Sequence, residues 1–90
     1  MRTRIGIIGI VMEDLTQSPR VNEIIGAYQD LVTGRIGVPN HTRGIAVIGL
    51  LIEGTNERIG ALTGTLGNVP GVSVKSALTA KEWEKEDPTT

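Results

Sequence analysis

Chemistry in a chain of 90 residues has to come from a few side chains, and here the reactive ones are sparse. There is no cysteine, which removes disulfides, thiolate catalysis, zinc–thiolate sites and cysteine-ligated iron–sulfur clusters together. The one histidine, His41, sits in a polar stretch beside Asn40 and Thr42. A metal site of the imidazole or thiolate kind needs several such ligands, so His41 reads as a solvated loop residue. No Gly-x-Ser-x-Gly occurs and no nucleophile stands near a base. Glu13 and Asp14 close one apolar run and Glu53 closes another; in antiparallel neighbours these acids fall at opposite ends and cannot act as a catalytic pair. Gly6-x-x-Gly9 and Gly34-x-x-Gly37 lie inside strand-like runs and do not match a phosphate loop. The sequence therefore predicts no catalytic residue, no metal and no cofactor. Arg35 is the remaining candidate. It falls on the outward side of an edge-like run, and the missing side chains of Gly34 and Gly37 would let a ligand or a partner's backbone approach; the alternative is a surface or inter-subunit salt bridge.

The elements that must position these residues are organised around Arg4–Asp14. Read as a strand, it carries Ile5, Ile7, Gly9 and Val11 on one face and Gly6, Ile8, Ile10 and Met12 on the other. Ile45–Glu53 repeats the pattern, with Ile45, Val47, Gly49 and Leu51 opposed to Ala46, Ile48, Leu50 and Ile52. Two strands that are apolar on both faces belong at the centre of a sheet. Ser18-Pro19 opens a helix, with Ser18 as its cap, and Val21, Ile24, Ile25 and Tyr28 form one apolar stripe. Val32, Ile36 and Val38 are expected to share one face of an edge strand that Pro39 ends, with Thr33, Arg35 and Gly37 on the other. A second helix is capped at Thr55 or Asn56, carries Ile59, Leu62, Thr63 and Leu66, and stops at Gly67-Asn68. The glycines within these helices, Gly26, Gly60 and Gly64, read as points of close packing. Pro70-Gly71 turns the chain into a last strand, with Val72 and Val74 inward and Ser73 and Lys75 outward.

The order βαββαβ predicts an α+β, ferredoxin-like domain over residues 1–78: a four-stranded antiparallel sheet in order 4-1-3-2 with both helices on one face. Residues 79–90 form a charged C-terminal tail, with a frayed helical turn expected around Lys81–Lys85 and Trp83 free to dock on a neighbour. A net charge of −1 gives no electrostatic footprint for nucleic acid. The N-terminal apolar run is short, interrupted by glycine and followed by acids, unlike a signal peptide. No segment approaches the roughly 18 apolar residues of a membrane span, so the chain reads as cytoplasmic.

One consequence concerns assembly. Helices on a single face leave the other bare, and here the bare face would be aliphatic. Ile5, Ile7, Val11, Ile45, Val47 and Leu51 are therefore the expected interface of a homo-oligomer. A face-to-face dimer is the simplest form. Pairing of edge strands is the other, and both together give a tetramer; a tail folded back over the sheet of a monomer is the third possibility.

The opening Arg4–Asp14 run, Val21-Asn22-Glu23-Ile24-Ile25, Gly34-Arg35-Ile36-Gly37-Val38-Pro39 and Leu66–Lys75 together resemble the iron-only hydrogenase system regulators, over roughly residues 3–78. The resemblance implies an ACT-like domain, related in shape to the effector-binding oligomerisation domains of larger transcriptional regulators but without their DNA-binding arm. It implies a small-molecule sensor with no catalysis. ACT-like domains bind effectors at subunit interfaces near the loop after the first strand, which here is Glu13, Asp14, Leu15 and Thr16. A module that docks on a protein partner, such as a hydrogenase-assembly factor, is the alternative.

Overall fold

The computed structural model describes residues 2–39 and 43–84, so His41 lies outside the described residues. The chain forms β1 (Arg2–Met12), α1 (Ser18–Ala27), β2 (Val32–Val38), β3 (Ala46–Gly54), α2 (Asn56–Gly67) and β4 (Val72–Leu78). The strands pair antiparallel in the order β2-β3-β1-β4, the ferredoxin-like arrangement. The two strands that are apolar on both faces are the central ones, each flanked by a paired strand on either side.

The helices settle which face is covered. Ile8, Ile10 and Met12 of β1 and Ala46, Ile48, Leu50 and Ile52 of β3 are buried against Val21, Ile24 and Ile25 of α1 and Ile59, Leu62 and Leu66 of α2. Each Val, Leu, Ile or Met among them contributes about 1.5–3 kcal/mol relative to leaving it in water. Among the described residues no helix lies over the odd-numbered face of β1 and β3.

Several local expectations are corrected. Ser18 is not the helix cap: a 3-10 turn, Leu15–Gln17, precedes α1 and Asp14 caps that turn. The Ser18 hydroxyl instead lies 3.4 Å from Met12 Sδ. At α2 the expected cap holds, with the Thr55 hydroxyl accepting the Arg58 N–H at 3.3 Å. Gly26, Gly60 and Gly64 are not packing points, since a Cβ at any of them would meet nothing within 4 Å. They lie on the outer sides of helices whose inner stripes are aliphatic.

The edge strand changes face part-way along. Val32 pairs with Ile52 and Gly34 with Leu51, so Thr33 is an extra, bulged residue. Val32 therefore joins the covered core, whereas Ile36 (68% exposed) and Val38 lie on the uncovered face. Simple alternation had put the three together.

A fifth strand, β5 (Trp83–Glu84), pairs with Arg2 and Thr3 of β1, in place of the expected helical turn. The Thr79 N–H donates to the Ile5 carbonyl (3.0 Å), and the Thr3 hydroxyl lies 3.4 Å from the Trp83 carbonyl. One isolated helical turn closes few bonds for the residues it fixes, whereas the start of β1 offers free backbone partners.

Candidate functional site

Three regions carry the residues singled out by the sequence. The first is the corner after β1. The Glu13 N–H donates to the Gly71 carbonyl at 2.8 Å, tying the corner to the Pro70-Gly71 turn. Asp14 Oδ1 accepts the Thr16 hydroxyl (2.6 Å) and the Thr16 N–H (3.0 Å). Those bonds, the hydroxyl first, hold the Asp14 carboxyl below its ordinary value. Leu15 packs against the core, while Glu13 and Thr16 face solvent.

Beside this corner a cleft of about 430 Å³ opens between the start of α1 and the end of α2. It is lined by Gln17, Arg20, Thr65, Asn68, Val69 and Pro70. Sequence reasoning missed these residues. Gln17 and Arg20 are separated from Thr65 and Asn68 by two strands, and only the packing of α1 beside α2 joins them. Arg20 is the one formally charged group in the lining, and its Nη1 also lies 3.1 Å from Glu23 Oε1 on the same helix.

The second region is β2. Arg35 pairs in register with Leu50 of the buried core, so it lies on the helix side of the sheet, where its Nη2 donates to Asn22 Oδ1 of α1 at 2.7 Å. The expectation of an outward Arg35 in an open glycine frame is corrected on both counts. Thr33 reverses the alternation, and the space over Gly34 is filled by Leu51, whose Cδ1 would lie 2.9 Å from an added Cβ. Gly37 shares the helix side with Arg35, opposite Ile48. Arg35 sits level with Ile8, six residues and roughly 20 Å along β1 from Asp14. Within one chain the structure does not bring Arg35 and Gly37 to the Glu13–Thr16 corner.

The third region is the uncovered face. Ile5, Ile7 (50% exposed), Val47 and Leu51 lie on it exposed, joined by Ile36 and Val38. Val11 and Ile45 are half-buried there. Glu53 closes one end, accepting the hydroxyl of the buried Thr3 at 3.0 Å, at the opposite end of β1 from Glu13 and Asp14. Among the described residues no group of three His, Asp or Glu side chains could hold a metal, and no helix is long and apolar enough to cross a membrane.

Residues 4–76 match the TM1266-like family, whose description is "Iron-only hydrogenase system regulator, putative". Among solved structures, the uncharacterized protein TM1266 from Thermotoga maritima is 36% identical, with 84% of this chain and 96% of that chain covered and a TM-score of 0.79. The fold is also that of CPII, a nitrogen regulatory PII-like protein from Thiomonas intermedia K12 seen bound to ADP, AMP and bicarbonate. There the identity is 14%, the coverage 90% of this chain and 96% of that one, and the TM-score 0.56, a likeness of fold alone. No curated protein matches the sequence.

Proposed function

The chain belongs to the TM1266-like family of iron-only hydrogenase system regulators, and on that premise we propose that it is a non-catalytic, homo-oligomeric regulator that senses a small-molecule effector. The observation that carries this reading is the cleft beside the Glu13–Thr16 corner. Its volume falls in the range of small-molecule sites, roughly 300–1,000 Å³, and its lining mixes apolar Val69 and Pro70 with four polar side chains. Arg20 and the start of α1 favour an effector with a carboxylate or phosphate group. The aliphatic uncovered face supports assembly, because exposing it in a monomer leaves a contiguous apolar patch in water.

Thermal unfolding against amino acids, nucleotides and other small anions tests the sensor. A ligand at about 100 times its dissociation constant adds roughly 2.7 kcal/mol, and each kcal/mol moves the midpoint of a domain this size by roughly 4–8 °C. A saturable rise that Arg20→Ala abolishes supports the cleft. No shift across soluble candidates overturns the sensor for those classes.

The same aliphatic face favours a second reading, a module that docks on a protein partner and takes no ligand. A chain that is monomeric at high concentration and silent to every ligand supports that reading.

A further inference from the structure

Four glycines of the fold have the space above them taken by their own chain. A Cβ at Gly6, Gly34, Gly54 or Gly71 would come within 3.0 Å of another atom. Gly9 and Gly49 are different. They pair with each other across β1 and β3 at the middle of the uncovered face. A Cβ at Gly49 would meet nothing within 4 Å, and one at Gly9 only the Lys75 carbonyl at an ordinary 3.8 Å. Glycine weakens the interior of a strand and often marks a place where something else approaches closely. Among the described residues nothing uses the space above these two.

The rows that run across the uncovered face show what fits it. One row reads Ile36, Gly49, Gly9, Lys75 over β2, β3, β1 and β4; the adjacent row reads Gly34, Leu51, Ile7, Ala77. Large stands beside small on every strand, with the order reversed between the rows. A two-fold axis lying parallel to the rows and midway between them exchanges one row for the other. It therefore sets Leu51 over the partner's Gly49 and Ile7 over the partner's Gly9, and each contact occurs twice. On the other side of the glycine row stand Val38, Val47, Val11 and Ser73, which offer no such alternation.

We propose that the uncovered face binds a second copy of this chain sheet to sheet, with the Ile7–Leu51 ridge of each copy seated in the Gly9–Gly49 trough of the other. This rests on the assembly proposed above and specifies its register. The two central strands carry the fit, since the space over Gly34 is already taken by Leu51 of the same chain. Seven paired residues along four strands span roughly 24 by 19 Å. Two such faces bury on the order of 900 Å² in projection and, once corrugated by side chains, reach the lower end of the roughly 1,200–2,000 Å² of stable pairs. Lys75 is the one charged side chain in the two rows, and it lies on an edge strand where its ammonium reaches water. Aligned sheets cross at about 30°, which keeps the fit closest at the centre, where both glycines lie.

Sedimentation equilibrium on the full chain tests this with Ile7→Lys, Gly49→Val, Leu51→Ala and the double variant Gly49→Val with Leu51→Ala. Filling the trough is expected to weaken self-association about tenfold or more, although it adds apolar surface and strand propensity. Adding Leu51→Ala, which weakens the wild-type pair by itself, is expected to restore about tenfold over Gly49→Val alone, a coupling that two independent losses cannot give. Thermal unfolding of Gly49→Val is expected to show an intact fold. A pair that Ile7→Lys disrupts but Gly49→Val leaves unchanged or tighter, or a double variant whose losses add, overturns the ridge-and-trough register alone. A wild-type chain that is monomeric at about 100-fold the concentration of a micromolar pair, or an oligomer indifferent to Ile7→Lys, overturns the assembly through this face as well.

Discussion

Gly71 and Asp14 meet at the end of the sheet so closely that a Cβ on Gly71 would lie 2.8 Å from Asp14 Cβ. Gly71 also has φ +74°, a conformation that side chains other than glycine's disfavour. The residue therefore answers two demands at once: it reverses the chain into β4 and lets the corner after β1 lie against the turn.

Gly71→Ala is expected to destabilise the fold by about 2 kcal/mol, combining the left-handed backbone with the contact. The midpoint of thermal unfolding would fall by roughly 8–16 °C in a domain of this size. A midpoint within a degree or two of wild type would show that the corner can move aside without loss.

The outward helix glycines predict the opposite sign. Gly26→Ala, Gly60→Ala and Gly64→Ala each place a methyl where nothing stands within 4 Å and remove backbone freedom from the unfolded chain. Each is expected to stabilise by about 0.5–1 kcal/mol, measured by urea unfolding with the slope unchanged. Loss of stability at Gly60 or Gly64 would mean that this side of α2 packs against something in solution.

Acid sensitivity follows from Asp14. Its carboxyl is held below the ordinary value of 3.8 by the Thr16 hydroxyl and then by the Thr16 N–H. A carboxyl with a lower pKa in the folded than in the unfolded chain stabilises the fold above the ordinary value. That contribution is lost as pH falls through the folded value. Asp14→Asn cannot titrate, so its stability deficit against wild type is expected to be largest at neutral pH and to shrink below about pH 3.8. Urea unfolding of both proteins at pH 7 and pH 3 measures it; a deficit that stays constant would remove Asp14 from the acid response.

At the other end of β1, the Thr3 hydroxyl lies between Glu53 and the Trp83 carbonyl. Thr3→Val preserves the shape and removes the donor, leaving a part-buried carboxylate short of a bond at a cost of about 1–3 kcal/mol. Amide exchange is expected to quicken at Thr79, which bonds to Ile5, and along β5, with little change in the centre of β3. Uniform quickening across the sheet would show that β5 does not open by itself.

The architecture was legible because it rests on periodicity. Two-sided apolarity marks β1 and β3 as the inner strands of the sheet, and the helical stripe Val21, Ile24, Ile25, Tyr28 has one buried side. What was not legible depends on single residues or on contacts distant in sequence. The cap at Ser18 was misplaced because Asp14 and Thr16 close an extra turn first. The bulge at Thr33 leaves no mark in composition, yet it moves Ile36 and Val38 to the uncovered face and Arg35 to the helix side. The cleft joins residues from the start of α1 and the end of α2, which no local pattern connects.

Thr33 also has a genetic meaning. Side-chain direction along a strand is a two-state parity, and one extra residue flips it for every position downstream unless a bulge absorbs it. Deleting Thr33 would bring Val32 and Gly34 side by side in an unbroken ladder, with Ile36 and Val38 still on the uncovered face and Arg35 and Gly37 still on the helix side. Three nucleotides would thus be lost from the gene with every remaining side chain of the edge strand keeping its side, because the bulge already absorbs that one codon as a silent insertion.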